Sequence, residues 1–238
     1  MKKKYKDKLL EVQGKNPKPK VKSDAESILM LRELIDRTNK VMLDYEVEYA
    51  MKWLNGLEKF IEDKEGRVNA NWFQAHLSRG HIVEVELFGH FNKELTFVHP
   101  CVVLYDGSYT SGGGWMLVAP ISTPRFGRGD SLTIDVNVED GLKHESGVCL
   151  DNLKIIDKRR VLYQHENNDG SKSKLRSIKL DEIDNAILIN FLPKAHEKYT
   201  ALDSLYQQEK AAHDQTKQAL EELKEKFEQL NKKEVTTN

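Results

Sequence analysis

Arg79-Gly80-His81-Ile82-Val83-Glu84-Val85-Glu86-Leu87 opens the stretch whose reading decides the fold. Val83, Val85 and Leu87 alternate with Glu84 and Glu86, so one face is apolar and the other charged, as in a half-buried strand. Outward from it lie Val98-His99-Pro100-Cys101-Val102-Val103-Leu104, the apolar run Trp115 to Thr123, and the alternating segment Ser131 to Val138. Gly147 to Ile156 and Arg160 to Gln164 complete about six strands. Short β-rich runs punctuated by Gly, Pro and Asp specify a small all-β barrel. Asp106 to Gly114 reads as a Gly/Ser-rich hairpin connection and Pro124 to Asp130 as a basic loop with Arg125 and Arg128. Asn167-Asn168-Asp169-Gly170 is a turn signal.

Helical segments flank the barrel in sequence. Residues 1–22 hold nine lysines against two acids, with Pro17 and Pro19, and read as a disordered basic tail that solubilises the chain or holds RNA phosphates. Ser23 and Glu26 form a capping-box pattern. Ile28, Leu31, Ile35, Met42, Tyr45 and Tyr49 follow at helical spacing, so 23–66 is an N-terminal helical segment, kinked or continuous at Gly56 and closed by Glu65-Gly66. Residues 67–78 form a connector with Trp72, Phe73 and Leu77 to pack. The barrel domain runs over 79–192 and ends in a helix from Leu180 to Leu192, stopped near Pro193. Over 193–238 a heptad runs through Tyr199, Leu202, Tyr206, Glu209, His213, Thr216, Leu220, Leu223, Phe227 and Leu230. It reads as a coiled coil with a polar centre, pairing with its own copy or folding back on the N-terminal helices.

A formal net charge of −1 excludes a global field that would drive the chain onto nucleic acid. No apolar run approaches the ~20 residues that span a bilayer, and the lysine-rich start lacks the apolar core of a secretory signal. A cytoplasmic protein without a membrane partner is expected. Cys101 and Cys149 lie inside strands, as reduced core residues do, and have no metal-ligand spacing.

The ordered motifs of this stretch resemble the MazF/PemK/Kid family of toxin endoribonucleases from toxin–antitoxin systems. Arg79-Gly80-His81-Ile82 resembles the family's opening Arg-Gly-Asp and strand. Asn92-Lys93-Glu94 stands at its first-loop motif and His99-Pro100 at its Arg-Pro. Pro120-Ile121-Ser122-Thr123 matches its Pro-(Ile/Val)-Thr-Ser, and Asp151-Asn152-Leu153-Lys154-Ile155-Ile156-Asp157 its late motif. The resemblance covers roughly 79–192.

It implies an α+β fold: a small SH3-like barrel with an N-terminal helical segment and a C-terminal helix, here extended by a coiled coil. It further implies a homodimer that cuts single-stranded RNA without metal or other cofactor and is blocked by an antitoxin protein. The residues it points to are His99, Ser122 and Asp151 for catalysis, with Lys93, Glu94, Thr123, Arg125, Asn152 and Lys154 for substrate binding. His99 replaces an arginine, Cys149 stands where some members have one, and Lys154 replaces another. The same barrel with decayed catalysis, binding RNA, DNA or a protein partner, is the alternative. The bland readings are a strand-edge His99, strand-end caps at Ser122 and Thr123, a turn-holding Asp151, a solvated Glu94, and a solvated basic run of Lys154, Lys158, Arg159 and Arg160, whose sharper reading is a guide for a phosphate chain.

Overall fold

The computed structural model describes residues 2–66, 76–89, 94–108 and 114–235, with backbone alone over 227–235. The chain divides into two units, Met1–Asn69 and Ala70–Asn238.

The first unit is helical. Where the basic opening reads as a disordered tail, Lys3–Gln13 is a helix, α1. Its Lys8 ammonium reaches Glu11, Asp24 and Glu26 at 2.9 to 3.0 Å, so local charge pairing organises a segment whose composition alone argues for disorder. The next helix, α2 (Ala25–Met42), is capped by Asp24 and not Ser23: the Asp24 side chain accepts from the Ser27 amide at 2.8 Å. The helical region then breaks at 43–46, without glycine or proline, before α3 (Val47–Lys64). Gly56 lies buried within α3 and does not interrupt it. Gly66 takes φ +70°, the left-handed geometry expected just past a helix end.

The second unit is built on a seven-stranded antiparallel sheet: β1 (Ile82–Glu86), β2 (Val98–Asp106), β3 (Trp115–Ser122), β4 (Thr133–Val136), β5 (Ser146–Cys149), β6 (Lys154–Asp157) and β7 (Val161–Gln164). Its order is β4-β5-β3-β2-β1-β7, with β6 also on β3. The run read as one strand over 147–156 is two, because a tight turn at Leu150–Asn152 separates β5 from β6. Both pair with β3, β6 along Trp115 to Val118 and β5 at Ile121 and Ser122. Strand parity then separates two cores. Ile82, Val102, Ala119 and Ile121 face one, joined by Val148, Leu150 and Ile183. Val83, Val85, Cys101 and Val118 face the other, with Leu87, Ile156 and Val161. The central strands are therefore buried on both faces, which explains their near-continuous apolar character.

The helix α4 (Ser177–Phe191) begins three residues before Leu180 and inserts Ile183 and Ala186 into the first core. Arg79 fixes it through Asp184 at 2.5 Å. Asn190 and Ser131 exchange hydrogen bonds that tie its end to the turn before β4. Pro193 does not merely stop α4; it starts α5 (Pro193–Val235), a position where its missing N–H costs nothing. Side chains 197–226 of α5, including the apolar heptad positions Tyr199, Leu202, Tyr206, Leu220 and Leu223, are exposed. Among the described residues no helix is long and apolar enough to cross a membrane.

Candidate active site

Two features frame the site: the loop joining β1 to β2, and the turn that carries β5 into β6. Between them lies a groove of about 530 Å³ lined by Leu87, Phe88, Gly89, Glu94, residues 151–157 and Arg160. Side chains from the late motif hold the loop in place. The Asn152 side-chain Oδ1 accepts from the Leu95 amide at 2.7 Å, and the Lys154 ammonium donates to the Leu95 carbonyl at 2.9 Å. On the other limb, Arg160 donates to the carbonyls of Glu86 and Phe88, both at 3.1 Å. The loop descends into β2 through Phe97 at φ +64°, a left-handed conformation that costs a bulky residue about 1–3 kcal/mol and persists only where its surroundings impose it.

His99 sits on β2 opposite Val85 of β1. It shares strand parity with Cys101 and Val103, hence with the core that Leu87 and Ile156 extend into the groove wall. The β2–β3 ladder pairs Cys101 with Pro120 and Val102 with Ala119. That ladder begins at Cys101 and Pro120, and His99 and Ser122 each lie two residues beyond it on their own strands. Ser122 ends β3 across from Gly147.

Beyond Ser122 the chain makes a tight turn, Thr123–Arg125, laid against β5. The Thr123 and Ser146 hydroxyls are 3.2 Å apart, and the Gly127 amide donates to Asp135 at 3.0 Å. Gly147 permits this approach: a Cβ there would stand 2.5 Å from Thr133 Cγ2 and 2.9 Å from Arg125 Cβ. From the turn, Arg125 Nη1 reaches Asp151 Oδ2 at 3.0 Å.

The sequence-derived residues therefore fall into three sets. Arg125 and Asp151 meet directly, and Ser122 and Thr123 adjoin Arg125 along the turn. Glu94, Asp151, Asn152 and Lys154 share the groove, with Glu94 3.7 Å from the Lys154 ammonium. His99, Ser122, Thr123 and Arg125 do not line that groove; they lie on the strands and turn beside it. Lys93 lies outside the described residues.

The basic run 158–160 is solvated only at Arg159. Lys158 is buried against Asp106 at 2.8 Å, Arg159 is forked onto Asp157, and Arg160 holds the loop. Asp106 also accepts from Ser108 and from the Leu77 amide. Burial alone would raise its carboxyl, but the bonds from Lys158, Ser108 and Leu77 outweigh that and hold it down at about 2. Arg160 and this buried pair escape sequence reading, because their partners lie dozens of residues away and no local motif marks them.

The thiol of Cys149 is pushed up to about 11 by burial, with Arg125 the leading opposing charge, so it is neither a ready nucleophile nor a cation. His81 accepts from the Ser78 amide at 3.1 Å through Nδ1, a structural task. Among the described residues no three His, Cys, Asp or Glu side chains converge as a metal ion requires. A carboxylate–imidazole pair, Glu84 with His165 at 2.7 Å, joins β1 to the residue just past β7.

Residues 78–191 match the family model described as the PemK-like, MazF-like toxin of type II toxin–antitoxin systems. Solved structures similar to this chain include the Mycobacterium tuberculosis toxin MazF-mt6, at 22% identity over 48% of this chain and 96% of that one, with a TM-score of 0.35. MazF (Form-I) from Deinococcus radiodurans shares 19% identity over 48% and 96% of the two chains, with a TM-score of 0.38. An endoribonuclease in complex with its cognate antitoxin, from mycobacterial species, shares 14% identity over 49% and 93%, with a TM-score of 0.33. No curated protein matches the chain.

Proposed function

From the premise that residues 78–191 are a PemK-like, MazF-like toxin domain, we propose that the chain is an endoribonuclease that cleaves single-stranded RNA by acid–base chemistry and is held in check by an antitoxin protein. The observation that carries this reading is the 3.0 Å contact between Arg125 and Asp151, which joins the turn that follows Ser122 to the groove lined by Asp151, Asn152 and Lys154.

In the proposed reaction the RNA 2′-oxygen bonds to the adjacent phosphorus and the bond from phosphorus to the 5′-oxygen breaks. One proton leaves the 2′-hydroxyl for a base and one reaches the departing 5′-oxygen from an acid, so the step is balanced in protons and yields a cyclic phosphate and a free 5′-hydroxyl. Asp151, whose carboxylate faces Arg125, takes the first role. His99 takes the second, since imidazole exchanges protons near neutral pH. Ser122 and Thr123 donate hydroxyl hydrogen bonds to the phosphoryl oxygens as charge builds there. Arg125 adds the permanent, forked charge that imidazole lacks. Glu94, Asn152 and Lys154 shape the groove by holding the loop, and through it they select the bases presented.

The exposed heptads of α5 support a homodimer, and the domain architecture proposed is a barrel over 79–192 flanked by helical arms. The test is cleavage of single-stranded RNA by purified protein. His99→Ala and Ser122→Ala are each expected to lower the rate by about 10² to 10⁴ at unchanged folding. Cleavage insensitive to both changes removes the mechanism. A second reading is favoured by one observation: two polar residues of the late motif, Asn152 and Lys154, are engaged in binding Leu95. On it the domain binds RNA, DNA or a protein without cutting, and wild-type protein that binds but never cleaves RNA establishes it.

A further inference from the structure

The candidate site contains three described cations, and they differ in what they hold. Lys154 donates to the Leu95 carbonyl, with the Glu94 carboxylate further off at 3.7 Å, and Arg160 donates to the carbonyls of Glu86 and Phe88, so both anchor the loop through backbone oxygens. Arg125 has its closest described contact with a carboxylate, Asp151 at 3.0 Å, that lines the groove and is one-third exposed at its side chain, while its own side chain is 16% exposed. Displacing a backbone carbonyl from Lys154 or Arg160 would cost the loop its anchors. Displacing Asp151 from Arg125 would cost one ion pair whose carboxylate is already partly open to water, and leave the loop's anchors in place.

Arg125 is also aimed by a turn pinned on three sides: by the missing Cβ of Gly147, by the Thr123–Ser146 hydroxyl contact, and by the Gly127–Asp135 hydrogen bond. A turn so pinned keeps the Arg125 backbone and Cβ in place while the guanidinium changes partner. Planar forked donors accept a phosphate in the same geometry as a carboxylate.

We infer that Asp151 is a placeholder for a backbone phosphate: an incoming RNA strand exchanges its phosphodiester for the Asp151 carboxylate on Arg125. The exchange does two things at once. It seats the phosphate beside Ser122 and Thr123, and it releases a carboxylate at the groove rim to serve as a base. Unliganded protein keeps that carboxylate engaged, so the base is free only when a phosphate is present. This rests on the endoribonuclease reading for its consequence, but the anion exchange itself does not require cleavage.

The experiment uses the full chain and a fluorescein-labelled 2′-O-methyl RNA oligonucleotide, which binds but offers no 2′-hydroxyl to react. Anisotropy titrations between 50 and 200 mM salt compare wild type, Arg125→Ala, Asp151→Asn and the double variant. Removing the competitor in Asp151→Asn is expected to tighten binding by about two- to fivefold. Arg125→Ala weakens it by about tenfold and lowers the slope of log affinity against log salt by about 0.7. In the double variant the Asp151→Asn gain vanishes, as a coupled pair requires. Tightening that persists without Arg125 is generic charge removal and overturns the exchange, as does an Asp151→Asn variant that binds more weakly. Arg125→Lys, which keeps the charge and loses the fork, falls between and guards against a folding defect in the alanine variant.

A second readout needs no RNA. The Arg125 Nε–H resonance in wild-type protein is expected to shift on titration with inorganic phosphate. An unmoved signal overturns the exchange even if RNA is cleaved; a moved signal with no RNA binding keeps the exchange and sinks the RNA reading.

Discussion

The helices of residues 3–64 and the sheet of residues 82–164 both carry regular apolar patterns, yet they use them differently. Among the described residues, no apolar side chain of 2–66 is buried, and Leu29, Leu31, Leu34, Ile35, Leu54 and Phe60 are all exposed. In the sheet Ile82, Val83, Val85, Val102, Val103 and Val118 are each fully buried. A strand obtains neighbours on two edges and both faces from the topology itself, whereas a helical stripe stays open until another surface covers it. The contrast teaches that the fully buried apolar core and the candidate site both reside in the sheet unit, while the helical unit buries its apolar stripes only in part and links α1 to α2 through pairs such as Lys8 with Asp24.

The largest expected break in that contrast is at Lys158. Its side chain is 3% exposed, and Lys158→Ala leaves Asp106 buried without its cation. Removing one partner of a buried pair costs about 3–5 kcal/mol. Urea unfolding followed by the tryptophan signal of Trp115 is expected to show this loss. A change below about 1 kcal/mol would mean that the pair is solvated and that the sheet unit is looser than its burial implies.

Next come paired apolar truncations. Leu150→Ala removes a side chain with no exposed surface, at an expected cost of about 2–5 kcal/mol. Leu29→Ala removes one that is 64% exposed and is expected to stay within about 0.5 kcal/mol. Equal losses would show that the α2 stripe is covered in solution, and the comparison would have to be redrawn around an assembly.

Much of the sheet unit was legible in advance because its signals are local. Alternation marked β1 and β4, and Asn167-Asn168-Asp169-Gly170 marked a turn closed by Gly170 at φ +79°. What escaped was set by distance in the chain. The break at 43–46 contains no breaker residue, and the burial of Lys158 depends on Asp106, a partner no local pattern announces. For the site, ordered motifs singled out Asp151, Asn152 and Lys154 together. They did not reveal that Asn152 and Lys154 grip one residue, Leu95, or that Arg125 crosses from the turn after β3 to meet Asp151.

Acid sharpens the comparison further. The Asp106 carboxyl is held at about 2, below its ordinary value of 3.8, so its contribution to stability is complete above about pH 4 and is lost as pH falls towards 2. The expected loss is about 2 kcal/mol across that window. In Asp106→Asn the sheet unit is less stable throughout but lacks this particular acid-dependent fall. Unfolding free energies measured between pH 5 and 2 for both proteins check it; parallel curves would assign the acid sensitivity to other carboxylates.

The smallest effect is the most discriminating. Arg159 follows Lys158 directly and is likewise paired, forked onto Asp157 with contacts of 2.9 and 3.1 Å, but its side chain is 44% exposed. Water screens such a pair, and holding two long side chains in one geometry costs entropy, so Arg159→Ala is expected to lower stability by only about 0–1 kcal/mol. High salt should erase what remains. The same urea titration therefore ranks two adjacent cations of identical formal charge by burial alone. Were Arg159→Ala to cost as much as Lys158→Ala, the backbone turn at 158–160 and not the buried ion pair would be what both residues support, and the Asp157 side chain's bond to the Arg159 amide at 2.9 Å would become the contact to remove next.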